Sequence, residues 1–230
     1  MRLIALAPVL FVAACGGSGS RVVDPHSSSV SGHELAAQRE DRESVDHAAQ
    51  YDPSKTTYNQ HCPGSAASKY EESPCWSEYA NSTDSHLAES NEHAKLAQEH
   101  RAASKSLQDA EAAACAGVSE ADRNTSPFHH RDDIAKVIFT GATGSETSVT
   151  IVFKAVPGLI AASLQKIVDC HLARNAALGH MVPEMAYCPL VPNGAKATVG
   201  TVDGALSVTV SDDDAAARTE VIARAKKLSP

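Results

Sequence analysis

Three histidines recur at seven-residue intervals within one stretch rich in alanine, glutamate and lysine: His86, His93 and His100. Seven residues of helix rise about 10.5 Å. A zinc–nitrogen bond is only about 2 Å long, so one ion cannot bind all three rings. Glu89 lies three residues after His86 and four before His93, which puts a carboxylate within reach of each. The spacing therefore predicts a stripe of imidazoles along one helix, not a single chelate.

An earlier stretch of the chain carries a similar stripe. His33 and His47 lie two heptads apart, and antiparallel packing of the two helices would bring imidazoles from both together. We therefore predict a weak zinc or copper site drawn from six residues: His33, His47, His86, Glu89, His93 and His100. Two other interpretations stay open, because the stripe continues in apolar residues as a helix–helix seam. In the first, the histidines are half-buried packing residues of this seam. In the second, their protonation makes the seam respond to pH.

A second candidate set lies further along the chain, where both methionines other than Met1 occur. His171 falls in the middle of an apolar helical face when residues are projected at about 100° intervals. Downstream, "HMVPEMAYC" adds imidazole and sulfur, the ligands that suit Cu(I). This set predicts a second metal site of four residues: His171, His180, Met181 and Met185. The alternative is that His171 and the methionines fill the core.

Catalytic motifs are absent from the sequence: it contains no G-x-S-x-G, HExxH, phosphate-binding loop or dinucleotide fingerprint. The stretch "SPFHHRDD", Ser126–Asp133, does offer imidazoles and carboxylates for acid–base chemistry. A hydrolase-type enzyme is therefore the third functional hypothesis, after two non-catalytic ones.

Two helices are needed to position the first set of histidines. Ser31 and Glu34 predict a capping box at the start of a helix over residues 33–50. A proline-rich loop follows it. The second helix is predicted over residues 83–116, with Gly117 ending it.

From Ile134 onward the pattern changes to short runs rich in β-branched residues. Two runs precede a helix, and two more flank Asp203-Gly204, a strong hairpin signal, before a final helix. The order ββαββα predicts an α+β fold in which a four-stranded antiparallel sheet carries two helices on one face. We expect this domain at 134–230, after an acidic helical hairpin at 33–117 and a linker at 118–133.

The first residues predict export. Arg2 precedes an apolar run that is too short to span a bilayer but has the length of a secretory leader. The run ends at "VAAC", Val12–Cys15, which resembles the lipobox of bacterial lipoproteins. The resemblance covers only the first 15 residues. It implies a leader at 1–14, a lipidated Cys15 with a flexible tether to residue 32, and anchoring in the outer membrane, facing the periplasm or the cell surface.

Five cysteines follow the one in the lipobox, and an exported protein meets oxidising conditions. Cys62 and Cys75 bracket one proline-containing loop, and Cys170 and Cys188 bracket another. We therefore expect a disulfide in each pair. Cys115 is then the odd thiol.

Charge is uneven along the chain, whose net charge is −8. Residues 16–130 hold 18 acidic against nine basic residues and nine of the 11 histidines, whereas residues 131–230 hold ten of each charge. An acidic surface disfavours nucleic acid as a partner and favours cations. The leading hypothesis is a lipid-anchored envelope protein that binds metal without catalysis. The alternative is a structural module that binds another envelope protein.

Replacing the lipobox cysteine tests the anchoring. We expect Cys15→Ser to stay unprocessed by the lipoprotein peptidase and to take up no radiolabelled palmitate, because the acylated thiol is gone. Normal labelling of this variant would contradict the lipoprotein prediction.

Overall fold

The structure is a computed structural model that describes residues 23–62 and 75–229. Cys15 and the leader lie outside the described residues. The helices are Val30–Gln50 (α1), Asp84–Ala114 (α2), Glu120–Asn124 (α3), Ala161–Ala177 (α4) and Ala215–Lys226 (α5). The strands are Thr56–His61 (β1), Trp76–Asn81 (β2), Ile134–Thr140 (β3), Ser148–Phe153 (β4), Lys196–Val202 (β5) and Ala205–Ser211 (β6). The predicted α+β class is confirmed. None of the described helices is both long and apolar enough to cross a membrane.

Helices α1 and α2 form a long antiparallel hairpin. The predicted capping box at the start of α1 was wrong, because Ser29 is the N-cap and its Oγ accepts the Gly32 N–H at 3.0 Å. Glu34 is engaged elsewhere: its carboxylate accepts hydrogen bonds from Ser104 and Gln108 of α2. Glu34 therefore stabilises the packing of α1 on α2 instead of capping the start of α1.

The segment between α1 and α2 was expected to be a loop, and that expectation was wrong. Strands β1 and β2 pair antiparallel in a two-stranded ribbon, and the Cys62–Cys75 disulfide joins the ends of these strands. Tyr58 lies opposite Tyr79, and His61 stacks on Trp76. Aromatic and β-branched residues favour strands. The loop was predicted because the prolines in this segment were given more weight than these residues.

The second half of the chain forms the predicted sheet, with strand order β3-β4-β6-β5 and every pair antiparallel. Val149, Ile151 and Phe153 alternate along β4 and point into one core. Helices α4 and α5 both pack their apolar residues into this same core. Both helices therefore lie on one face of the sheet, as predicted.

The hairpin turn between β5 and β6 also follows the prediction. Asp203 and Gly204 have φ values of 54° and 80°, the left-handed conformation that a two-residue type I′ turn requires. After β6, the Asp214 carboxylate caps α5 by accepting the N–H groups of Ala216 and Ala217. Local chemistry therefore determines both the turn and the start of the last helix.

Residues 118–133, expected to be a linker, contribute to the core of the sheet domain. The segment contains α3, and its Phe128 is fully buried and stacks on Phe153 with ring centroids 6.0 Å apart. Large buried aromatic side chains contribute strongly to core stability. The structured part of the second half therefore extends further toward the N-terminus than its strands and helices suggested.

The predicted Cys170–Cys188 disulfide was wrong. Cys170 bonds instead to Cys115, with Cα atoms 4.5 Å apart, and this bond joins the end of α2 to α4. Cys188 is the free thiol and lies fully buried in the core of the sheet domain, where burial raises its pKa. The disulfide therefore links the helical hairpin to the sheet domain covalently.

Candidate metal centre

Small buried residues allow α1 and α2 to approach closely. Ser44 Oγ donates to the carbonyl of Ser90 across the hairpin at 2.9 Å. Ala37 and Ala97 lie one heptad away from these serines and are almost completely buried. We call each set of facing residues on the two helices a layer. Because these two layers contain no long side chain, the backbones come near enough for imidazole rings in the layers between and beside them to meet.

The intervening layers hold histidine and glutamate in one continuous register. His33 meets His100, Glu40 meets His93, and His47 meets His86. Each layer advances seven residues along α1 and goes back seven along α2. The heptad spacing seen in the sequence is thus the register of the hairpin. The predicted convergence of imidazoles from the two helices is present in the structure.

Three side chains at the end of the hairpin next to the ribbon bring ligand atoms together: His47, His86 and Glu89. The two Nδ1 atoms lie 3.4 Å apart. The Glu89 Oε2 atom is 2.9 Å from His47 Nδ1 and 3.7 Å from His86 Nδ1. The rings are partly buried while the carboxylate is about half exposed, so the centre is open to solvent on one side.

These separations match those around a tetrahedral metal ion. Two ligand atoms about 2.0–2.1 Å from zinc, at a tetrahedral angle, lie roughly 3.3 Å apart. The three distances bracket that value, so small side-chain movements would suffice to accommodate an ion. Two imidazoles and a carboxylate leave a fourth position for water. Across the described residues, this is the one group of three or more His, Cys, Asp or Glu side chains with this convergence.

The neighbouring layer supports the centre. His93 stacks nearly parallel on His47, with centroids 5.4 Å apart, and its Nδ1 donates to Glu40 Oε2 at 2.7 Å. Burial raises the pKa of Glu40, but hydrogen bonds from His93 and Arg39 outweigh it and hold that pKa below its ordinary value. A charged Glu40 therefore fixes His93, and His93 in turn limits rotation of the His47 ring.

His33 and His100, which were predicted as ligands, do not reach the centre. They form their own pair two heptads away from it. His93 also bonds to Glu40 rather than contributing to the three-atom group. The predicted six-residue set therefore divides into a three-residue centre and two supporting layers.

The residues of the second predicted set have separate partners in the structure. His171 Nε2 donates to two backbone carbonyls, of Asp122 and Thr125, and His180 Nδ1 donates to a third, of Val191. Met185 is 8% exposed and belongs to the core, whereas Met181 is 80% exposed. The two imidazoles and the two sulfur atoms thus lie in different surroundings, and the second metal site stays a prediction.

The "SPFHHRDD" stretch is also divided in the structure. Phe128 enters the core, and His129 hydrogen-bonds the Tyr187 hydroxyl at 3.1 Å. His130 and Asp133 line a cavity of about 290 Å³ whose other walls are mostly apolar. The two histidine rings still meet edge to face, with centroids 5.1 Å apart, although their other neighbours differ.

Glu40 was missed in the sequence, although a signal for it was present. It lies seven residues from both His33 and His47, in the same heptad position. Its role is not evident from the sequence alone, because most glutamates are solvated surface residues. Its pairing with His93 becomes evident only once the register of the two helices is known.

Comparisons with known proteins provide no relative for the chain: no family model matches it, and neither the curated proteins nor the solved structures contain a similar one.

Overfilling one small-residue layer tests whether close helix approach creates the centre. We expect Ala97→Leu to force α1 and α2 apart, to destabilise the hairpin by about 1–3 kcal/mol and to weaken metal binding. Ala102→Leu, at an exposed position on the same helix, should leave both unchanged. Chemical denaturation and metal titration measure the two effects. Equal behaviour of the two variants would contradict the proposed role of the small layers.

Proposed function

We propose that this protein is a lipid-anchored component of the bacterial envelope that binds a transition-metal ion without catalysing a reaction. The ligands are the Nδ1 atoms of His47 and His86 and the carboxylate of Glu89. The observation that supports the proposal is the convergence of these three atoms at separations suited to a tetrahedral ion.

The ligand set favours zinc or copper(II) over calcium and magnesium. Imidazole suits zinc, copper and nickel, whereas calcium and magnesium prefer oxygen ligands alone. No cysteine belongs to the three-atom group. Because only three side chains contribute and Glu89 is about half exposed, we expect modest affinity.

The anchoring part of the proposal rests on the lipobox at Val12–Cys15 and places the protein at the outer membrane. The turn at Pro25–Ser27 and the first residues of α1 belong to the fold, so the link to the anchor is shorter than the predicted tether to residue 32. The acidic hairpin would be joined to the anchor by the residues that precede Pro25. Its net negative charge would raise the local concentration of cations.

A second candidate function is a protein-interaction module, and the ribbon favours it. Tyr58, Trp76 and Tyr79 are 57%, 58% and 76% exposed. Exposed aromatic side chains are typical of interaction sites. In this alternative, the centre at the base of the ribbon would stabilise the hairpin that presents it.

Calorimetric titration of the purified protein with zinc, copper(II) and nickel tests the metal proposal. We expect one ion per chain, and an affinity that falls as the pH drops, because ligating imidazoles must be neutral. His86→Ala and Glu89→Gln should each weaken binding at least about tenfold, or ~1.4 kcal/mol. Bound metal should also raise the melting temperature, because it stabilises only the folded state.

His129→Ala is the matched control, since it removes one imidazole from outside the hairpin and should bind metal as the wild type does. Equal affinity of the wild type and His86→Ala would show that metal binds elsewhere. Absence of any binding to the wild type at neutral pH would leave the interaction module as the better account.

A further inference from the structure

The layer at the other end of the hairpin is a buried pair of histidines. His33 is completely buried, and its Nδ1 lies 3.0 Å from the Nδ1 of His100. The other nitrogen of His33, Nε2, lies 2.9 Å from the carbonyl oxygen of Pro25 in the turn that precedes α1. This layer therefore joins three segments: the turn, α1 and α2.

The carbonyl of Pro25 determines where the protons of this pair must be. A carbonyl oxygen only accepts, so Nε2 of His33 carries a hydrogen and donates it. In the neutral ring, Nδ1 of His33 is then an acceptor, and His100 must donate its own Nδ1–H to it. The closed hairpin therefore accommodates the neutral pair. If both rings were protonated, two N–H groups and two positive charges would face each other at 3.0 Å.

The surroundings also oppose the protonation of His100. Burial lowers its pKa below the ordinary value, and repulsion from a charged His33 lowers it further. Among the nearby charged groups, Glu40 of α1 and Glu99 of α2 act in the opposite direction, and Arg39 acts with the burial. The turn before α1 adds His26, another imidazole, which lines a cavity together with Leu107 of α2.

The position of the pair matters because the two ends of α1 are held differently. The C-terminal end continues into the ribbon, which the Cys62–Cys75 disulfide closes. The N-terminal end is held by the His33–His100 layer and its neighbours. If the contacts of that layer are lost, α1 therefore begins to separate from α2 at its N-terminal end.

We infer that the His33–His100 pair is an acid-sensitive latch that keeps α1 on α2 and thereby controls release of the metal ion. The metal half of this inference rests on the proposed function. His47 comes from α1, while His86 and Glu89 come from α2. Separation of the helices therefore removes one of the three ligands, in addition to any direct protonation of the ligands.

The sign of the pH effect follows from proton uptake. An exposed imidazole has a pKa of about 6.5, whereas burial in the closed pair holds the pKa of His100 below that value. The stabilisation is therefore complete above about pH 6.5 and is lost as the pH falls from there through the lowered pKa of the closed state. Each additional proton bound by the open state shifts the opening equilibrium by up to about tenfold per pH unit.

Hydrogen exchange of the metal-free, full-length protein in detergent micelles measures the opening directly. Exchange rates are divided by intrinsic rates, so that protection can be compared between about pH 7.5 and 5.5. We expect protection of α1 to fall at least about tenfold in the wild type, while the sheet domain stays protected. His33→Leu/His100→Leu, which cannot titrate, should lose less than about twofold.

A second variant guards against misfolding of the double substitution. In His100→Gln, the amide can donate to neutral His33 or accept from protonated His33, so the closed state tolerates a proton. Its α1 should lose less protection in acid than that of the wild type. His129→Gln/His130→Gln removes two imidazoles outside the hairpin and should behave as the wild type does.

Zinc titration of the same proteins at the same pH values tests the control of release. The fall in affinity between neutral and acid pH should be steeper in the wild type than in the Leu or Gln variants, which keep all three ligands. Equal acid loss of α1 protection in the wild type and both variants, or none in the wild type, would overturn the latch. If the metal-free proteins behave as expected but the wild type binds no zinc at pH 7.5, the proposed function and the control of release are both overturned, while the latch itself stands.

Discussion

Imidazole rings on α1 and α2 can meet only because alanine and serine occupy the layers between them. Ser44 and Ser90 are in hydrogen-bond contact across the hairpin, and Ala97 has no exposed surface. Leucine in these layers would be compatible with a hairpin, but it would hold the axes further apart. The close approach reduces the apolar surface that the two helices bury against each other, because alanine and serine side chains are small. Histidine–histidine and histidine–glutamate contacts therefore carry a larger share of the specificity of this interface.

The two helices differ in how firmly they are held. The end of α2 is tied to α4 by the Cys115–Cys170 disulfide, and Arg174 pairs with Glu111 next to it at 2.9 Å. Helix α1, by contrast, packs mainly on α2. The sheet domain thus acts as a fixed support for α2, and α1 is the element whose position decides whether the ligands of the centre come together.

The sequence predicts much of this arrangement because the responsible signals are local. Alternating β-branched runs, the Asp203-Gly204 turn and the heptad spacing of the histidines each depend on neighbours within a few residues. The Cys115–Cys170 disulfide could not be predicted from local signals. It forms because Cys170 lies on the side of α4 that faces α2, and that orientation depends on tertiary packing. Likewise, the division of six predicted ligands into three layers follows from the register between two helices, which only their packing determines.

The most direct test of the centre is to observe which imidazole nitrogens bind the ion. Long-range proton–nitrogen NMR of ¹⁵N-histidine-labelled protein separates Nδ1 from Nε2, and His47→Gln and His86→Gln assign the two relevant rings. On addition of zinc, we expect the Nδ1 signals of His47 and His86 to shift toward values for metal-bound nitrogen, while those of His33 and His100 keep their hydrogen-bonded values. A zinc-dependent shift confined to His33 and His100, or to histidines outside the hairpin, would contradict the account.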